Sequence, residues 1–217
     1  AHVVKRDPDF ITYGDACLEA GGGFYEHKFW WHTEWPDNIK ALTLKNLTVS
    51  RRCKLSNELV SINLLEFVVE IINYAAVTSL INNGYTDLPN KYPVLLNWTD
   101  NKTAQAWIRK AATRTDKGKA LQRILCSMMI NNSLGFKADY IQGKSNVLAD
   151  SISRVFASSN SSFTELFQNH PQMRSWMRFH PSQELLSYLF SALLTGQDQG
   201  LLPIKNFGHF THDNITS

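Results

Sequence analysis

Four carboxylates carry the residue types and spacing in this 217-residue chain that can do chemistry together: Asp15, Glu66, Asp100 and Asp150. Asp15 ends a short run of strand-forming residues, and Glu66 lies on the polar stripe of an otherwise apolar helical segment. Asp100 follows an apolar run, and Asp150 sits in a short helical segment after Gly143. A mixed sheet with helices packed on it can bring four such element ends to one place. Converging carboxylates repel one another unless a cation occupies the space between them. Hard oxygen donors without His or Cys favour Mg²⁺ or Mn²⁺ over zinc, and two such ions can activate water at a phosphodiester and stabilise its leaving oxygen. Each acid also has a plainer reading. Asp15 suits a turn before the glycines, Asp100 a helix N-cap and Asp150 the surface, while Glu70 rivals Glu66 one helical turn on.

The elements that must position these acids can be read from periodicity. Residues 9–35 predict a β-meander: Phe10–Asp15 as a strand, Gly21-Gly22-Gly23 as a turn or bulge, then an aromatic-rich stretch from Phe24 to Trp35, ended by Pro36. Residues 62–82 give the strongest helical signal, with Leu65, Val68, Val69, Ile72, Ala75, Ala76 and Leu80 at helical spacing. Asn63, Glu66, Glu70 and Asn73 form a narrow polar stripe along that helix. Pro93–Thr99 reads as a strand covered on both faces, and Asp100-Asn101 starts the helix that follows. A further helix is expected over 117–133, a strand over 136–141 and a short helix over 146–154. The fold class is therefore α/β, a mixed sheet with helices packed on it. Residues 1–156 form the main domain, residues 157–162 a Ser/Asn linker and residues 163–217 a helical tail whose clearest helix, Ser182–Thr195, stops at Gly196.

Composition narrows the class without naming a substrate. Hydrophobic residues make up 43% of the chain, enough for a sizeable core, and the net charge of +3 tolerates a polyanion without requiring one. Cys17, Cys53 and Cys126 are odd in number and far apart, which excludes a disulfide framework and a Cys-x-x-Cys zinc site and fits a reducing, intracellular setting, cytoplasm or nucleus. No apolar run approaches the roughly 18 residues of a spanning helix, so no membrane association is expected. The start, Ala1 to Asp7, lacks Met and an apolar signal region, and reads as part of a longer polypeptide that is not secreted.

Four motifs, in order, resemble the ribonuclease H domain of retroelement reverse transcriptases. Asp15-Ala16-Cys17 with Gly21-Gly22-Gly23 resembles that family's opening, and Asn63-Leu64-Leu65-Glu66 its helix-borne glutamate. Thr99-Asp100-Asn101-Lys102-Thr103-Ala104 is similar to its third motif. Gly143 to Arg154, with Asn146-Val147-Leu148-Ala149-Asp150-Ser151-Ile152-Ser153-Arg154, is similar to its last. The motifs cover residues 9–154. Trp30-Trp31…Trp35-Pro36 and the His170-Pro171 and His180-Pro181-Ser182 tail resemble DIRS-like elements, which encode a tyrosine recombinase. The resemblance implies an RNase H-like fold, an antiparallel three-stranded meander followed by parallel strands. It implies Asp15, Glu66, Asp100 and Asp150 as catalytic ligands of two Mg²⁺ or Mn²⁺ ions. The implied reaction is hydrolysis of the RNA strand of an RNA–DNA hybrid, recognised by backbone shape and 2′-hydroxyls. The implied neighbours are an upstream polymerase domain and a downstream tyrosine recombinase in one polyprotein. Two positions depart from the family. Cys17 stands where Ser is commoner, and Lys144 follows Gly143 where cellular enzymes carry a His-bearing loop, so no dedicated proton shuttle is implied.

Asn101, Thr103, Arg109, Lys110, Lys144, Asn146 and Arg154 are the candidate nucleic-acid contacts. Arg109, Lys110, Arg114, Lys117, Lys119 and Arg123 suit either a phosphate grip or a solvated face, and Arg51, Arg52 and Lys54 carry the same two readings. Trp30, Trp31, Trp35 and Trp98 are expected in the core rather than stacked on bases. His170, His180, His209 and His212 show no metal-ligand spacing. Two other functions compete: an inactive RNase H-like connection that is structural or binds nucleic acid, and an integrase-like strand-transfer nuclease. The latter would need a glutamate where Asp150 stands.

Overall fold

The computed structural model describes residues 7–48, 59–88, 90–155, 162–197, 204 and 206–212. The expected meander is there: β1 (Phe10–Ala16), β2 (Ala20–Tyr25) and β3 (Phe29–Glu34) run antiparallel in sequence, with Tyr13 opposite Phe24 and Asp15 opposite Gly22. Gly21-Gly22-Gly23, expected as a turn or bulge, lies instead inside β2 and is paired on both sides. After α1 (Asp37–Thr48) and α2 (Ile62–Asn82), β4 (Val94–Thr99) returns parallel to β1. Helices α3 (Lys102–Lys110) and α4 (Asp116–Asn132) lead to β5 (Gly135–Tyr140), parallel to β4. A 3-10 turn, Gly143–Ser145, then precedes α5 (Val147–Ser153). Mixed strand directions with interleaved helices are what the sequence order predicts.

The tail differs from expectation. It holds α6 (Ser162–Asn169), β6 (Met177–Pro181), α7 (Gln183–Thr195) and β7 (Gly208–Thr211), and its strands continue the sheet in the order β5-β4-β1-β2-β3-β6-β7. β6 pairs with β3 through only Phe29 and Trp30, and β7 has four residues, so neither is long enough for a period-2 signal. The tail is thus mixed rather than helical and shares the core of the main domain. The proposed linker at 157–162 lies outside the described residues except for Ser162, which opens α6. α1 was missed because its apolar positions do not repeat clearly. α7 ends as read, at Gly196 in the left-handed conformation.

α2 and α5 sandwich the centre of the sheet. α2 packs on β1, β2 and β4, and every residue from Leu64 to Leu80 is buried. The expectation of no span-like segment therefore needs correcting. α2 is long and apolar enough to cross a membrane, with a mean hydropathy of 1.7, yet 94% of that stretch is buried inside the protein. A helix apolar almost all round is a core helix when the protein itself covers it. α5 packs on β1, β2 and β3 from the opposite face, over a second cluster of Phe24, Trp30, Ile152, Phe167, Met173 and Trp176. β4, expected to be covered on both faces, alternates instead: Leu95, Asn97 and Thr99 are buried, while Val94, Leu96 and Trp98 are partly exposed. Trp30, Trp31 and Trp35 are core residues, as the aromatic spacing predicts.

Close approach to β2 needs missing side chains. A Cβ on Gly22 would lie 2.4 Å from Ile152 Cγ2 and 3.1 Å from the Ile152 carbonyl carbon. Gly22→Ala is expected to destabilise the fold by about 1–3 kcal/mol through overpacking, and Ile152→Ala to recover part of that loss. Chemical denaturation of the two single variants and the double variant checks this; strict additivity would show that the two positions do not press on each other.

Candidate metal centre

Asp15, Glu66 and Asp100 meet at one end of the central strands. Asp15 occupies the penultimate position of β1, so it is a strand residue and not part of a turn. Glu66 stands in the second turn of α2, and Asp100 follows directly on β4. One carboxylate oxygen from each lies within 4.8 Å of the other two. Asp15 is 5% exposed and Glu66 4%, while Asp100 is partly exposed and forms the open side. Ser153 Oγ donates to Asp15 Oδ2 at 2.6 Å, tying α5 to the site. Gly143 lies so close to Asp100 that a Cβ there would stand 2.7 Å from Asp100 Oδ2.

Asn101, rather than Asp100, caps α3: its Oδ1 accepts from the Thr103 and Ala104 amides, both at 3.0 Å. That leaves the Asp100 carboxylate to the acid cluster. The rivalry between Glu66 and Glu70 also resolves. Glu66 joins the cluster, whereas Glu70 Oε2 accepts from Asn97 Nδ2 at 2.6 Å, deeper in the core. Asp150 lies outside the mutually close trio, partly exposed, with Arg154 Nε donating to its Oδ1 at 2.7 Å. Its charge still reaches the trio and raises the affinity of Asp15 and Asp100 for protons.

The electrostatics are those of crowded, poorly solvated acids whose charge Arg154 offsets only in part. Burial, more than the neighbouring charges of Asp100 and Asp150, pushes Asp15 up to about 6 despite the Ser153 hydrogen bond. Burial and then the Asp15 and Asp100 charges hold Glu66 well above the usual carboxylate range. Glu66 Oε2 is buried and has no hydrogen-bond partner. A desolvated acceptor among other carboxylates is what a cation would satisfy, and the all-oxygen donor set suits Mg²⁺ or Mn²⁺. Among the described residues no other group of His, Cys, Asp and Glu side chains converges in this way.

The candidate nucleic-acid contacts divide. Arg109, Lys110, Lys144 and Arg154 are exposed, and Thr103 is partly buried. Asn101 is committed through Oδ1 to the α3 cap and through Nδ2 to Asn63, donating to its Oδ1 at 2.9 Å. Asn146 is 2% exposed and donates through Nδ2 to the Gly14 carbonyl at 2.9 Å, which ties the loop before α5 to β1. Lys117 leaves the basic group because its side chain is buried, with Nζ donating to the Leu59 carbonyl at 3.4 Å. Arg51, Arg52 and Lys54 lie outside the described residues. Ser153 and Gly143 went unrecognised as site residues, although both stand inside the last motif. Asn97 and Thr12 were missed too, and the inward alternation of β4 was the signal available for Asn97.

Comparison with protein-family models, with curated proteins and with solved structures finds no match to this chain.

Raised carboxyl pKa values set the sign of the pH dependence. Asp15 holds its proton more tightly folded than unfolded, so without metal its contribution to stability is complete below about pH 4 and is lost as pH rises to about 6. Asp15→Asn is therefore expected to stabilise the metal-free protein at pH 8, on the order of 2 kcal/mol, and to change it little at pH 4. Denaturant titrations at both pH values check this; an equal effect at both would show that burial and neighbouring charge do not raise the Asp15 pKa.

Proposed function

We propose that the chain is a metal-dependent ribonuclease H that cuts the RNA strand of RNA–DNA hybrids, as part of a retroelement reverse transcriptase. The observation that carries this reading is the convergence of Asp15, Glu66 and Asp100 from β1, α2 and the end of β4, with Asp150 beside them on α5. These are the acids of the four motifs, and the meander followed by parallel strands agrees with the RNase H-like fold the resemblance implies.

Asp15, Glu66 and Asp100 would hold Mg²⁺ or Mn²⁺, with Asp150 available once its carboxylate leaves Arg154. Bound ions of this kind activate water and neutralise charge on a scissile phosphate. The chain's own groups prepare the site. Ser153 orients the Asp15 carboxylate, Asn101 keeps the α3 cap away from Asp100, and Gly143 leaves the cluster open beside Asp100. Arg109, Lys110 and Lys144 are exposed cations on the α3 and β5–α5 segments, suited to backbone phosphates of a hybrid. The polymerase and recombinase of the same polyprotein are the proposed neighbours.

The test is cleavage of a strand-labelled RNA–DNA hybrid with Mg²⁺ or Mn²⁺, beside duplex DNA and duplex RNA. The expected outcome is cutting of the hybrid's RNA strand alone, falling to the metal-free background in Asp100→Asn. Binding of the hybrid without cleavage by either ion would favour a connection role, and cutting of duplex DNA a strand-transfer nuclease.

A further inference from the structure

The polar stripe of α2 continues past Glu66 and turns into the protein. One turn after Glu66, Glu70 Oε2 accepts from Asn97 Nδ2 at 2.6 Å. Asn97 Oδ1 in turn accepts from Thr12 Oγ1 and from Asn73 Nδ2, each at 2.6 Å. Asn73 Nδ2 also donates to the Tyr13 carbonyl at 3.1 Å, and Asn73 Oδ1 accepts from Trp31 Nε1 at 2.7 Å. The network joins β1, β3 and β4 to α2, and none of its side chains is more than 1% exposed.

Such a network is costly to bury unless its groups are paired, and apolar residues would fill the same space without that cost. The sheet is nonetheless cut away to admit it. A Cβ on Gly23 would lie 2.3 Å from Asn73 Oδ1, and one on Gly14 2.9 Å from Asn73 Nδ2. What the network provides that apolar packing does not is direction. Its bonds fix the rotation and rise of α2 against three strands within two turns of Glu66, and a slip of one residue would turn the glutamate by about 100°. Burial also pushes Glu70 up to about 8, against the Asn97 and Thr99 hydrogen bonds that favour its charged form.

We propose that Glu70, Asn97 and Asn73 form a positioning network that aims the Glu66 carboxylate into the acid cluster, with Glu70 a positioning residue and not a metal ligand. This rests on the metal-centre reading above.

The test is Mn²⁺ titration of the full chain by electron paramagnetic resonance, with thermal melting of each variant alongside. The expected result is that the unaltered chain and Glu70→Gln bind Mn²⁺ alike, since the amide keeps the shape and the hydrogen bonding. Glu70→Leu, folded but without the polar link, should bind about tenfold or more weakly. Thr12→Val, which deletes one hydroxyl and keeps the volume, should weaken binding by a smaller factor. Equal Mn²⁺ affinity in folded Glu70→Leu and the unaltered chain would overturn the positioning role. If Glu70→Leu does not fold, unchanged affinity in Thr12→Val overturns it. A loss in Glu70→Gln as large as in Glu70→Leu would make Glu70 a ligand and sink the proposal in the other direction. No Mn²⁺ binding by the unaltered chain would bring down the metal-centre reading itself, and this inference with it.

Discussion

The burial of three carboxyl groups beside one another, within 4.8 Å and two of them nearly sealed from water, is the constraint around which this protein is built. Left free, the elements bearing them would relax apart, because each acid would regain solvent and lose a like-charged neighbour. Protonation is the escape open to the metal-free protein, and Asp15 and Glu66 are both displaced toward it. A divalent cation relieves the same repulsion without a proton. Gathering these acids costs stability, and the rest of the molecule must supply what keeps β1, α2 and β4 together.

That stability comes from two helices pressed on opposite faces of the same strands. α2 brings Glu66 and a continuous apolar surface to one face, and α5 brings Ser153 and Ile152 to the other. The strand between them must be thin. Gly22 gives way to α5, Gly23 to α2, and alternation along β2 assigns each glycine to its face. Hydrophobic burial holds the helices down, but it is non-directional and tolerates rotation and sliding. Direction is supplied by polar groups: the Ser153–Asp15 bond on one side and the Asn73–Asn97–Glu70 network on the other.

Much of this was legible in the sequence. The helical period over 62–82, the aromatic meander and the acids at element ends gave the central strands, α2 and the three converging residues. What stayed hidden depended on contacts between distant segments. Nothing local to Glu70 distinguishes it from Glu66; only the pairing with Asn97, 27 positions away, sends it into the core. Asn146 and Lys117 look like surface residues by type, and tertiary hydrogen bonds to Gly14 and Leu59 override that preference. β6 and β7 escaped because each is short and becomes a strand only against an existing edge, β3 for the first and β6 for the second.

That edge explains why the tail belongs to the same folding unit. Without β6, β3 would present an open row of backbone donors and acceptors, a liability in an aromatic strand. The tail also supplies Leu166, Phe167, Met173 and Trp176 to the cluster that buries Phe24, Trp30 and Ile152. Ile152 neighbours Ser153, which holds Asp15, so packing from the tail reaches the acid cluster through α5. Removing the tail would leave the four motifs intact in sequence while loosening the helix that carries the last of them. The acids are a local property of their motifs, but their geometry depends on the whole chain.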